Sequence, residues 1–337
     1  MKLILKPVVV AATLCLFATV LSCTSNETAY RSCEGKTQGT MYHVVYEYHE
    51  DLCPQIDSLL KQFSLSLSNY NRTSVVSKFN YNSPDFKPDS LLIRMIHDAS
   101  EVYNNTHGMF DITIAPVANC WGFGWEKKAQ PDTANLSEAM QWVGMDKIIL
   151  NGNSITKAEP QVQIITNGIA QGLSVDWLAE YFQSKGINNY LIEIGGEVLA
   201  AGTKRQKELW RIGIDKPIVN SGYNNRDTQI IIEISGKAVA TSGNYRKFVE
   251  MDGVTMGHSI NPKTGYPATT DLLSATVLTN RCVMADAYAT AFMVMGLQAS
   301  LQLAERLPDI EAYFIYIDEN GEHQSAQTSK FANFIAP

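Results

Sequence analysis

The sequence contains no apolar run of the roughly 18 residues that a conventional membrane-spanning helix needs. Internal repeats, heptads and low-complexity tracts are absent, which excludes solenoids, coiled coils and fibrous arrays. It has no extended Lys/Arg cluster, and its formal net charge is -7. A chain of that charge is a poor nucleic-acid binder, because phosphates need basic side chains to neutralise them. Cysteine is scarce, six in 337 residues, at wide spacings that fit no zinc motif. What remains is ordinary: 45% hydrophobic and 18% charged residues, a balance that excludes wholesale disorder. The length allows one large domain or two modest ones.

The N-terminus reads as an address. Lys2 and Lys6 make a positive n-region, and residues 8–21 form an apolar stretch of signal-peptide length. It ends in Val20-Leu21-Ser22-Cys23, which resembles a bacterial lipobox. That resemblance implies cleavage after residue 22, lipid on Cys23, and export to a lipid anchor on a bacterial membrane, inner or outer. An ordinary cleaved signal with a chance cysteine is the alternative. Without residues 1–22 the chain keeps 25 basic and 34 acidic residues, a net of -9. Residues 23–34 are polar and read as a tether, so the folded domain is expected over 35–337. Export permits disulfides among Cys33, Cys53, Cys120 and Cys282, but buried free thiols are the expectation.

Apolar spacing predicts a strand over 41–48. It then predicts a helix whose stripe is Ile56, Leu59, Leu60, Phe63 and Leu67, with Pro54 near its start. Asp89 is a plausible N-cap for a second helix that ends near Gly108. A short helix over 135–143 and a hairpin of 147–150 with 154–157 follow, then a helix over 167–185 stopped by Gly186. Strands are expected over 190–194, 198–201, 210–215, 228–234, 238–241 and 275–279. Helices over 284–295 and 300–306 and a last strand over 312–317 complete the chain. Helices and strands interleave without regular βα alternation. That predicts an α+β fold, one compact domain with helices packed on largely antiparallel sheets.

Five segments could carry chemistry. Asp286 and Thr290 stand at i and i+4, so their oxygens share a helix face among apolar neighbours. A carboxylate in such company is costly unless a cation meets it, and Mg²⁺ takes oxygen ligands. A buried cap would explain the pair equally well. Residues 258–267 (HSINPKTGYP) form a tight turn that brings His258, a lysine and hydroxyls together, or else a polar surface turn. In residues 241–245 (TSGNY) a glycine after a strand lets backbone N–H groups approach a ligand. Residues 108–113 (GMFDIT) with Trp121-Gly122-Phe123-Gly124 make an apolar wall, more often core than cofactor box. Residues 167–172 (NGIAQG) open a helix with glycines that could free N–H groups or carbonyls for a phosphate or metal.

Taken in order, these segments resemble the ApbE family of FAD:protein FMN transferases. The resemblance runs from Thr37-Gln38-Gly39-Thr40 through Leu67-Ser68-Asn69-Tyr70, with Ser74, Ser77, Phe79 and Asn80. It continues through Gly108, Trp121, Gly168 to Gly172 with Asp176, and Glu193-Ile194-Gly195-Gly196-Glu197. It closes with Ser242 to Tyr245, His258 to Gly265, and Asp286 to Thr290. The resemblance implies an enzyme that uses FAD as substrate and Mg²⁺ as cofactor. It moves FMN onto a threonine or serine hydroxyl of a flavin-carrying subunit of a membrane redox complex, and AMP leaves. By the family pattern Asp286, Thr290 and the Gly168 carbonyl hold the metal. Gln38, Tyr70, Met109, Phe110, Asp111, Ile165, Gln171 and His258 stand at FAD-site positions, with His258 as candidate proton acceptor. Three positions depart from the pattern. Ile165 replaces a usual Asp, Gln171 a common Lys, and Gln38 a Met. Restoring the carboxylate at 165 is therefore expected to tighten FAD binding. Two alternatives stay open: an FAD pyrophosphatase giving FMN and AMP, and a non-catalytic flavin-binding lipoprotein.

Overall fold

The computed structural model of the chain describes residues 28–126, 131–218, 227–244, 248–251 and 254–337. Residues 1–22, where a signal segment is expected, Cys23 and Tyr245 lie outside the described residues. Strands β1 (Ala29–Thr37) and β2 (Thr40–Tyr48) form a hairpin in which Thr37 pairs with Thr40. The two-residue loop, Gln38 and Gly39, takes positive φ at both positions, 49° and 76°. Such primed turns match the twist of the flanking strands. Residues 29–34, expected in the tether, thus belong to the folded domain. Only Cys33 and Thr37 of β1 are buried, so the strand carries no apolar alternation to reveal it.

Helix α1 (Cys53–Leu67) buries Ile56, Leu60, Phe63 and Leu67 of the predicted stripe, leaves Leu59 half-buried, and has a proline in its first turn. Helices α2 (Val75–Asn80) and α3 (Ser90–Asn105) follow, the second capped by Asp89, which accepts the Leu92 N–H at 2.9 Å. Short helices α4 (Ala115–Cys120) and α5 (Leu136–Met140) lead to a small hairpin, β3 (Ile148–Asn151) and β4 (Ser154–Lys157). Then come α6 (Ala170–Ser184), β5 (Tyr190–Ile194), β6 (Glu197–Ala201), β7 (Trp210–Asp215) and β8 (Thr228–Ile234). The chain continues through β9 (Lys237–Gly243), β10 (Phe248–Met251), β11 (Val254–Gly257) and β12 (Leu272–Thr279). It ends with α7 (Cys282–Met295), α8 (Leu297–Arg306), β13 (Glu311–Ile317) and β14 (His323–Gln327).

Eight strands form one antiparallel sheet in the order β1-β2-β5-β6-β9-β12-β13-β14. Both faces are covered, which is why β12 is buried at seven of its eight positions. Helices α6 and α7 pack on one face: Val175, Leu178 and Phe182 meet Tyr42, Val44 and Ile192. The β7–β8 hairpin covers part of the other, where Trp210, Ile212 and Ile232 meet Val45, Leu191 and Val239. Helix α7 is apolar almost all round, as an interior helix must be, and twelve of its fourteen residues are buried. The expected single α+β domain with antiparallel sheets is what the chain forms.

The cysteines depart from expectation. Cys33 and Cys53 form a disulfide with Cα atoms 5.5 Å apart, joining β1 to the start of α1. Cys120 and Cys282 remain buried thiols, as expected.

Candidate active site

The strand register brings the candidate residues to one end of the sheet. Val198 of β6 pairs with Val239 of β9, which sets the β5–β6 turn at Gly195-Gly196 level with Thr241 and Ser242. The Gly195 N–H donates to the Met41 carbonyl, so the Gln38-Gly39 turn lies at the same end. The N-terminus of α6 and the middle of α7 pack against that end.

At the centre is Asp286, buried on α7. Its Oδ2 accepts the Gly172 N–H at 3.0 Å. Burial pushes its carboxyl up to about 7, and that hydrogen bond pulls the other way. Thr290 lies one turn along, its Oγ1 3.3 Å from Ser242 Oγ. Gly168 closes the group. Its φ is +82°, and a Cβ there would sit 2.7 Å from Thr290 Oγ1. Only glycine takes this backbone conformation without strain and lets the backbone approach the hydroxyl. The predicted trio of Gly168, Asp286 and Thr290 is therefore brought together, with Ser242 beside it.

Two devices hold this geometry. Asn69 donates to the Ile164 carbonyl at 2.9 Å and accepts the Thr166 N–H at 2.8 Å. Asn80 exchanges a second pair of hydrogen bonds with Ile164. These buried amides fix residues 164–166, from which the turn at Gly168 springs. The second device is Asp176, one turn beyond Gly172 on α6. Its carboxylate accepts the N–H groups of Cys282 and Val283 at 2.7 and 3.0 Å, capping α7 from another helix. Arg281, beside that cap, donates from Nη2 to both carboxylate oxygens of the buried Asp98 at 2.7 and 2.8 Å. The sequence motif contained Asp176 without a role. Its partners lie 106 and 107 positions away, so no local signal gave the role.

The remaining candidates form a rim. Gln38 donates to Ser174 Oγ of α6 at 2.8 Å. Gln171 reaches the β5–β6 turn, where a side chain on Gly195 would collide with its amide. Tyr70 is 64% exposed and accepts from Asn167 at 3.3 Å, which places an aromatic ring in solvent beside the Gly168 turn. Asp111 accepts the Thr113 N–H and hydroxyl, and burial pushes its carboxyl up to about 6, with Lys263 opposing. Met109 is half-buried, whereas Phe110 is buried in the main core. Phe110 therefore supplies packing under the rim, as its apolar neighbours favour. His258 is half-buried, its ring 6.4 Å from that of Phe123. Its turn is tied to the apolar wall by the Trp121 indole, which donates to the Gly265 carbonyl at 2.7 Å.

Ile165 faces apolar company: Val117, Ala118, Trp121 and Ile260 belong to its cluster. Its N–H donates to the Ile112 carbonyl at 2.8 Å, joining the Asp111 segment to the Gly168 segment. The pocket has packed around isoleucine, so a carboxylate there would enter an apolar setting.

The fold and site define a single α+β domain that gathers polar side chains at one sheet end, over a carboxylate-bearing interior helix. The chain belongs to the ApbE family, whose family model matches residues 38–314. Among curated relatives, an FAD:protein FMN transferase of Vibrio cholerae is 37% identical over 314 residues, covering 90% of this chain and 92% of that one. The Haemophilus influenzae FAD:protein FMN transferase is 35% identical, covering 89% and 90%. Among solved structures, the flavin transferase ApbE from Vibrio cholerae superposes with a TM-score of 0.81 at 34% identity, covering 91% of this chain and 99% of that one. The apo form of the Pseudomonas stutzeri flavinyl transferase ApbE gives 0.80 at 29% identity, covering 92% and 98%.

Proposed function

We propose that this chain is a Mg²⁺-dependent FAD:protein FMN transferase that modifies a threonine or serine hydroxyl of a flavin-carrying protein and releases AMP. The relatives' names support transfer of FMN from FAD to protein. The observation that carries the metal is the buried carboxylate of Asp286, whose ionised form is disfavoured by its apolar surroundings. Thr290 stands one turn along α7 from it and against the Gly168 backbone, so each has a neutral oxygen to contribute to such a site. An all-oxygen donor set with one negative charge fits Mg²⁺, which completes its shell with water and phosphate oxygens. When bound, that ion would neutralise charge on the pyrophosphate.

In the transfer, the acceptor hydroxyl oxygen bonds to the FMN phosphorus and the pyrophosphate P–O bond breaks. AMP leaves with the bridging oxygen, and the hydroxyl proton goes to a base. His258 is our candidate for that base, held on its turn by the Trp121–Gly265 hydrogen bond. Gln38, Tyr70, Met109, Asp111 and Gln171 rim the proposed FAD site, and Ile165 and Phe110 pack beneath it. Gln171 is neutral, so positioning rather than charge is its contribution.

The N-terminal reading joins this one. We infer that Cys23 carries lipid and that the domain works outside the cytoplasm, tethered to a membrane. The Cys33–Cys53 disulfide supports export, because such bonds persist in oxidising compartments. The test is incubation with FAD, Mg²⁺ and an apo flavin-carrying subunit of a membrane redox complex. The reading expects AMP in solution and one FMN added to the acceptor's intact mass. Free FMN with an unmodified acceptor would instead indicate a pyrophosphatase.

A further inference from the structure

The chain enters the sheet at the end opposite the candidate active site. Ala29 pairs with Tyr48 at that end of the first hairpin, whereas Thr37 pairs with Thr40 at the Gln38-Gly39 end, beside α6. The nine residues of β1 put about 27 Å between the two ends. At the entry end, Thr28 and Ala29 share a surface hollow with residues 203–207 of the β6–β7 loop. That loop is fixed to the entering strand. The Tyr30 hydroxyl donates to the Thr203 carbonyl at 2.5 Å, and the Asn189 side chain accepts the Thr203 N–H at 2.9 Å. The loop carries Lys204, Arg205 and Lys207, with Leu209, 41% exposed, just beyond them. Lys204 and Arg205 stand over aromatic rings, 5.7 Å from the centroids of Trp210 and Tyr30. The one carboxylate lining the hollow is Glu47, which accepts from the Asn189 amide at 2.7 Å and the Thr28 hydroxyl at 3.5 Å. Glu208, and Glu50 and Asp51 in the turn after β2, bound the basic patch and confine it to residues 204–207.

We propose that the loop 203–209 rests on anionic phospholipid headgroups of the membrane that holds the Cys23 lipid. The inference rests on the lipid-anchor reading. Thr28 is five residues beyond Cys23, a span of at most about 18 Å, so lipid on Cys23 keeps this loop within that reach of the bilayer. Lys and Arg side chains within about a Debye length of an anionic surface are drawn to it, each by about fivefold in partitioning. Three give roughly a hundredfold, less than a single acyl chain supplies. The patch therefore does not replace the anchor; it sets which way the tethered domain faces. Exposed Leu209 adds an apolar side chain at the headgroup boundary. The catalytic end then faces away from the bilayer, up to about 27 Å further out. An acceptor protein would present its hydroxyl from the aqueous side rather than at the membrane surface.

The test uses the full lipidated chain in vesicles of phosphatidylcholine with about one-third phosphatidylglycerol. A fluorophore is attached at Gln206→Cys in the loop or at Lys36→Cys near the far end of β1. Cys120 and Cys282 are buried and Cys33 is bonded to Cys53, so the label goes to the new thiol. A nitroxide on the lipid headgroups quenches whichever label lies near it. Quenching at 206 is expected to exceed that at 36 by about threefold or more. Lys204→Glu with Arg205→Glu and Lys207→Glu should bring the two positions within about 1.5-fold, and so should salt at about 0.5 M with the loop unchanged, while the protein stays on the vesicles. Equal quenching at the two positions without salt or charge reversal overturns the proposal. A difference that survives either treatment overturns it too. Failure of the anchor reading is distinguishable, because the chain would then separate from the vesicles on flotation and its intact mass would show no lipid.

Discussion

Gly172→Ala tests whether the α6–α7 contact sets the position of Asp286. A Cβ at 172 would lie 2.7 Å from the Cys282 carbonyl carbon, closer still to its oxygen, and 2.8 Å from the Asp286 Cβ. Neither neighbour can swing away, since one is helix backbone and the other the root of a side chain. The helices must separate, at a cost of about 1–3 kcal/mol for overpacking. Separation also stretches the 3.0 Å hydrogen bond from Gly172 to Asp286, a bond to a charged group worth about 1.5–3 kcal/mol. Alanine's better helix propensity returns about 1 kcal/mol. The net is a loss of about 1.5–5 kcal/mol, which lowers Tm by at least about 3 °C. Thermal unfolding by circular dichroism reads the stability, and Mg²⁺ titration reads the site, where affinity should fall. A variant stabilised by about 1 kcal/mol, as propensity alone requires, would refute the close contact.

Ile165→Asp should destabilise the domain by about 2–5 kcal/mol and leave FAD binding no tighter, because the new carboxyl enters an apolar cluster; tighter FAD binding at unchanged Tm would restore the expectation drawn from the family pattern. Asp111 has its carboxyl raised from 3.8 to about 6, so the stability tied to its protonated form is complete below pH 3.8 and lost as pH rises through 6. Asp111→Asn does not titrate, so its Tm relative to wild type should climb between pH 4 and 7.5 by an amount equivalent to about 3 kcal/mol, and a flat difference would contradict the sign. Cys23→Ser should move the protein from membranes to the soluble fraction, and unchanged retention would remove the lipid anchor from the account.

Elements with strong local signals were legible in the sequence. The stripe of α1, the Asp89 cap and the strands over 210–215 and 228–234 each rest on near neighbours, and the structure repeats them. Strands β1 and β14 were not legible. Both lie at sheet edges with mostly exposed or half-exposed residues, so pairing rather than burial makes them strands. The Cys33–Cys53 bond was equally hidden, since spacing does not give connectivity. At the site, Asp286 and Thr290 could be read as a pair from their i, i+4 spacing. Their meeting with Gly168 followed from the family resemblance alone, because spacing carries no signal between residues 122 positions apart. Phe110 and Ile165 show the converse. Motif position puts them with FAD, while their side chains lie in apolar clusters.

The central claim is that Asp286, with Thr290 and Gly168, holds the ion that FMN transfer requires. Intact mass of the apo acceptor subunit after incubation with FAD and limiting Mg²⁺ tests it most directly, with wild type and Asp286→Ala side by side. The account predicts one added FMN with wild type and none with the variant, while circular dichroism shows the variant folded. Equal flavinylation by a folded Asp286→Ala variant at limiting Mg²⁺ would contradict it.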